Sequence, residues 1–217
     1  MRPFLFLLLL LGTVPRLSRA QLFGKGFETG SYVLREGPAV RQPGQLKLQN
    51  GTKLLLKTAE GKTQKLTPEQ IQSFRLGPRP YVTAADFQVK GAYVERAFVE
   101  QLDSGQVVLL RYAYSVGAPM AMGAGGGMSY GGSSNARAWL LARPGDARVT
   151  PAQGGYYSGG GKQFREAVRP YLSTRPDLVQ LLDEKRITED NLPAVIHALN
   201  QHLPFSAAAP GQGATEQ

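Results

Sequence analysis

The sequence predicts an α+β protein in which an antiparallel β sheet, rolled or sandwiched, precedes a C-terminal helical segment. Two patterns carry that prediction. Between Gly30 and Thr150, short alternations of apolar and polar residues are punctuated by turn pairs such as Asn50-Gly51, whereas from Phe164 onward the apolar residues recur three and four apart. A third observation bounds it: the 217-residue chain has no cysteine. Its core must therefore hold without disulfides, and thiolate metal sites and cysteine nucleophiles are excluded.

The first twenty residues stand apart. Arg2 precedes an apolar block from Phe4 to Val14, and Ser18 and Ala20 supply small residues at a cleavage site, the layout of a signal peptide. Pro15, Arg16 and Arg19 interrupt the block short of the roughly 20 apolar residues that a membrane span needs. Residues 1–20 are expected to leave, with Gln21 as the mature start and 21–29 as an N-terminal arm. The mature chain is then expected to be soluble and periplasmic or secreted, with no transmembrane segment.

The sheet region is expected over 30–150. Ser31 to Glu36 and Gln45 to Gln49 alternate, and Asn50-Gly51 turns the chain into Thr52 to Thr58. Glu60-Gly61 returns it through Lys62 to Leu66. Thr67-Pro68-Glu69-Gln70 has the chemistry of a helix start, so Ile71 and Phe74 are expected on one short helical turn. Pro78 and Pro80 mark a break before strands at Tyr81 to Thr83 and Phe87 to Val89. The clearest hairpin joins Ala92–Leu102 to Val107–Val116 through Asp103-Ser104-Gly105, with Gly105 expected at positive φ. Leu110, Tyr112 and Tyr114 share one face.

Gly117 to Asn135 holds seven glycines and reads as a mobile insertion before Arg137 to Arg143 rejoins the sheet. Arg148 to Thr150 closes the sheet, and 151–161 is a second glycine-rich link. The helical segment is expected over 162–203. Phe164, Ala167, Val168, Tyr171 and Leu172 share a helix face, against Pro170, which should kink or end the helix near Val168. Thr174 should cap a helix bearing Leu178, Leu181 and Leu182. Thr188 to Asn191 opens a last helix that Pro204 stops, and 204–217 reads as a disordered tail.

The formal charge is +9, of which Arg2, Arg16 and Arg19 leave with the signal. The remaining lysines and arginines are scattered, so they read as a solvated surface attractive to anionic polymers and carry no specific nucleic-acid site. Candidate reactive groups are sparse. Tyr156 to Lys162 departs from a phosphate loop at Tyr156 and Gln163, and Ser158 lacks the glycine that a nucleophile elbow needs at 156. His197 and His202, five apart on a helix, do not converge. Glu95, Glu100 and Asp103 cluster near one hairpin, and Asp183, Glu184, Glu189 and Asp190 in the helical part, with no spacing that marks an acid pair. No cofactor and no metal is expected.

Aromatic and thioether groups in glycine-rich stretches remain. Tyr112, Tyr114 and Trp139 lie in strands and read as core. Tyr130, Tyr156 and Tyr157, with Met120, Met122 and Met128, do not, and they are the expected contacts to a ligand or partner.

Two passages, Gly30-Ser-Tyr-Val-Leu-Arg-Glu-Gly with Gly44 to Leu76, and Phe164 to Asn200, resemble uncharacterised exported proteins of Gram-negative bacteria. In these, a small β domain precedes a short helical region. The resemblance implies no catalytic residues. The expected function is a non-enzymatic envelope or secreted binding module for a protein or an anionic surface polymer; the alternative is an envelope hydrolase acting on polysaccharide or peptidoglycan through an acidic site.

Overall fold

The computed structural model describes residues 26–117, 121–122, 128–129, 133–146, 148–154 and 161–206. The signal peptide expected over residues 1–20 and the tail beyond 206 lie outside them. Among the described residues the architecture is α+β: an antiparallel sheet of ten strands followed by three helices.

In chain order the sheet strands are β1 (Glu28–Leu34), β2 (Gln42–Asn50), β3 (Lys53–Lys57), β4 (Thr63–Leu66), β5 (Ile71–Leu76), β6 (Arg79–Val89), β7 (Ala92–Asp103), β8 (Val108–Gly117), β11 (Ser133–Ala142) and β12 (Thr150–Ala152). A separate two-residue pair, β9 (Ala121–Met122) with β10 (Met128–Ser129), lies between β8 and β11. Across the sheet the order is β12-β11-β8-β7-β6-β5-β1-β2-β3-β4.

The sheet curls in opposite senses at its two ends, because neighbouring residues of β7 serve different cores. Phe98 joins Tyr32, Leu46, Leu54, Ile71, Phe74 and Tyr81 in one cluster, packing edge-on against Phe74 at 5.0 Å. Ala97 and Val99 face the other way, with Ala84, Phe87, Leu110 and Leu140. The first roll closes where the β2–β3 turn meets β7: the Phe98 N–H donates to the Gly51 carbonyl at 2.6 Å. There β7 and β8 pair only through Glu100–Asp103 and Leu109–Arg111. Gly51 occupies the fork, where an added Cβ would stand 2.9 Å from the Tyr112 ring.

A third cluster joins sheet to helices. Val107, Leu109, Trp139 and Leu141 meet Phe164, Val168 and Leu172 of α1 (Lys162–Leu172), Leu178 and Leu182 of α2 (Pro176–Asp183), and Leu192, Val195, Ile196 and Leu199 of α3 (Leu192–Asn200).

Several local expectations are corrected. Thr67–Gln70 does use cap chemistry, the Gln70 amide oxygen accepting from the Thr67 N–H at 3.0 Å, but β5 follows instead of a helix. Ile71 and Phe74, three apart, both reach the core because the β1–β5 register slips at Gln72, a bulge that mimics helical spacing. Gly77-Pro78 is a two-residue hairpin, not a break. The two strands expected at 81–83 and 87–89 are one, kinked where Asp86 adopts φ 55°; the kink turns Phe87 and Val89 to the face of Ala84. The last sheet strand runs Thr150–Ala152.

Among the helices, α1 continues through Pro170 to Leu172. The proline forfeits one hydrogen bond, offset by burial of Leu172 and by the Tyr171 hydroxyl, which lies 3.2 Å from the Leu141 carbonyl and 2.8 Å from the Thr150 hydroxyl. Thr174 does not cap α2; its hydroxyl donates to Gln106 at 3.1 Å, and α2 begins at Pro176 without a side-chain cap. Among the described residues no helix is long and apolar enough to cross a membrane.

Candidate functional site

One row of side chains crosses the sheet on a single face. Phe74, Tyr81, Glu100, Arg111, Trp139 and Ala152 are successive cross-strand partners from β5 to β12. The row leads from the aromatic core of the first roll, where Phe74 stacks on Tyr81 at 4.6 Å, to the helical core. Glu100 sits midway. Its side chain is 7% exposed and is met by Arg111 at 2.5 Å and the Tyr81 hydroxyl at 3.4 Å. Burial first, and next the charge of Glu100, push the Tyr81 phenol far above its usual range. A cavity of about 10 Å³ beside the pair is lined by Gly51, Phe98 and Ala113 among others. That is room for about one water, so Glu100 is an internally paired acid with no space for a substrate.

A second polar cluster ties the β7–β8 turn to α3. Asn200 treats Val107 as a neighbouring strand would: its Oδ1 accepts from the Val107 N–H at 3.0 Å and its Nδ2 donates to the Val107 carbonyl at 2.8 Å. The same Nδ2 reaches Asp103 at 3.0 Å, and His197 Nδ1 lies 2.8 Å from the other Asp103 oxygen. Gly105 is needed here for space and not for positive φ, since an added Cβ would stand 2.7 Å from Asn200. His202 contacts Gln106 at 3.4 Å instead. The two histidines thus approach different residues of one turn and share no ligand.

The third feature is a cleft of about 380 Å³ at the seam of the second roll, lined by Gln88, Lys90, Gly91, Pro151, Gln153, Gly154 and Gln163. Lys90-Gly91 forms the two-residue β6–β7 turn, with φ of 50° and 81°. Gln153 closes the roll from β12: its Oε1 accepts from the Lys90 N–H at 3.0 Å, and its Nε2 donates to the Gln88 carbonyl at 3.2 Å. Gly154 is fixed by its N–H donating to Glu189, whose own carbonyl accepts from the Trp139 indole at 2.7 Å. Gln163 stands in the first turn of α1, which carries no side-chain cap. Amides, backbone groups and one lysine make this surface a donor and acceptor of hydrogen bonds with a single positive charge.

The remaining acids are dispersed. Asp183 pairs with Arg169, Glu184 with Arg186 and Asp190 with Arg137. Among the described residues no group of three or more histidines and acids could hold a metal ion. Of the contacts expected from sequence, Met122 and Met128 are cross-strand partners in β9–β10, whereas Met120, Tyr130, Tyr156 and Tyr157 lie outside the described residues. The chain enters the stretch holding Tyr156 and Tyr157 at Gly154, a cleft residue, and leaves it at Gly161, two residues before Gln163. Sequence reasoning missed the cleft because its members come from three distant segments; scattered glutamines beside glycines were the only signal. No family model, curated protein or solved structure matches the chain.

Proposed function

We propose that the chain is an exported, non-enzymatic binding module for a hydroxyl-rich, acidic surface polymer of the cell envelope. The amide-lined cleft carries the reading. Its three glutamines, the exposed Gly91 backbone and Lys90 suit hydroxyl and acidic groups, and among the described residues its lining holds neither a carboxylate pair nor a nucleophile. Tyr156 and Tyr157, in the intervening sequence, would add apolar ring faces with polar edges. The leader-like N-terminus supports export, with Gln21 as the first residue of the secreted form.

Co-sedimentation of the purified protein with insoluble peptidoglycan and with envelope polysaccharide tests the proposal. Binding should fall when Lys90→Ala and Gln163→Ala are combined, and again with Tyr156→Ala and Tyr157→Ala, while the polymer stays insoluble. Equal binding by all variants would remove the cleft from the function. Release of soluble fragments would favour the hydrolase.

A further inference from the structure

Among the described residues, strand β4 is an edge of the sheet and pairs with β3 alone. Just before it, the Thr58 N–H donates to the Lys62 carbonyl at 2.8 Å. Antiparallel ladders alternate every residue, so Lys62, Gln64 and Leu66 turn their backbone groups to β3, and Thr63 and Lys65 turn theirs outward. Beside this edge runs a groove of about 440 Å³ lined by Leu34, Glu36, Gln64, Leu66, Glu69 and Gln70. Leu66 is buried and Leu34 half-buried, giving an apolar floor; Glu36 and Glu69 are exposed along it.

The charges around the groove are arranged for a cation. The Thr67 hydroxyl holds the Glu69 carboxyl below its usual range, with smaller contributions from the Glu69 backbone N–H, Arg96 and Arg35. Arg35 directs its guanidinium at the Pro68 and Ile71 carbonyls, 3.4 Å from each, and lines no part of the groove. Lys65 lies on the opposite face of β4 from Gln64 and Leu66.

We propose that this edge docks an extended peptide of a partner protein, which adds to β4 as a further strand and sets a basic side chain against Glu36 and Glu69 and an apolar one over Leu34 and Leu66. Outward N–H and C=O groups of Thr63 and Lys65 supply the pairing, and the groove supplies selectivity. Opposite Lys65 the incoming strand carries a polar or acidic residue, since like charges across a ladder are unfavourable. A second copy of β4 fits less well. Pairing through the outward groups would put both Lys65 side chains on one ribbon face and bring no cation to Glu36 or Glu69. The proposal is independent of the amide cleft.

Fluorescence anisotropy with a labelled synthetic peptide, Thr-Leu-Thr-Lys-Thr-Leu-Thr-Lys, tests it on the full mature chain. Saturable binding is expected. The substitution Lys65→Pro removes an outward N–H without touching the β3 ladder and should abolish binding with the melting curve unchanged; a peptide N-methylated at alternate residues should not bind the wild type. Glu36→Gln with Glu69→Gln should weaken binding by roughly two- to fivefold per carboxylate, and salt should do the same. No saturable binding by the wild type, or equal binding by Lys65→Pro, would overturn the proposal. So would a concentration-dependent dimer that Lys65→Pro dissolves and the peptide does not displace, which would give the edge to a second copy.

Discussion

The Glu100–Arg111 pair and the Asn200 junction lie at opposite ends of the short β7–β8 ladder and hold it by different means. At Glu100 two full charges are taken from water and depend on each other, with Tyr81 as a further partner. At Asn200 a neutral amide supplies Val107 with the backbone partners that a missing strand would have given. The first arrangement is costly to leave half-made, because a lone buried charge has no substitute for water. The second costs what its hydrogen bonds are worth, since water can reach part of the turn.

The sharpest way to break the comparison is Arg111→Met. It should destabilise the protein by about 3–5 kcal/mol in urea unfolding, and pairing it with Glu100→Gln should recover part of the loss. A double variant as unstable as Arg111→Met alone would show that the charge of Glu100 is not what Arg111 compensates. Asn200→Ala should cost less, about 2 kcal/mol. Gly105→Ala should cost about 1–3 kcal/mol through the clash with Asn200. Because the alanine removes Cγ and Oδ1, two of the three Asn200 atoms that crowd the added Cβ, and keeps only the Asn200 Cβ at 2.8 Å, the two substitutions should combine to somewhat less than their sum; strict additivity would leave the whole clash to that Cβ.

The buried side of the comparison also has a pH signature. Tyr81 keeps its proton in the folded state above the ordinary phenol value, whereas the unfolded chain loses it near pH 10. Above about pH 10 the folded state therefore binds more protons, and stability falls with rising pH at up to about 1.4 kcal/mol per unit. The Tyr81→Phe variant should show a shallower alkaline decline in melting temperature. The smallest effect is expected at His197, whose side chain is 60% exposed. His197→Ala should move stability by no more than about 0.5 kcal/mol; a larger loss would mean that the histidine, and not Asn200, holds Asp103.

The fold class was legible because alternation and turn pairs are local. Asn50-Gly51 and Glu60-Gly61 announce hairpins from a few residues, and the face shared by Phe164, Val168 and Leu172 survives an internal proline. What misled was local pattern that tertiary packing reinterprets. Ile71 and Phe74 have helical spacing, yet a bulge opposite Leu34 makes them strand neighbours. Gly105 stands where a turn glycine belongs, but an asparagine 95 residues later in the chain makes it necessary. The polar sites were hardest to see. Nothing within Ala97-Phe98-Val99-Glu100 marks the acid as buried, and Gln88, Gln153 and Gln163 meet only once the second roll has closed.

The opposite facing of Phe98 and Val99 constrains how this protein could be shortened or recombined. Truncation before β7 would strip the first roll of the Phe98 ring that caps it, and a fragment starting at β7 would present that ring to water. The molecule should therefore tolerate new sequence at its turns far better than division between its rolls.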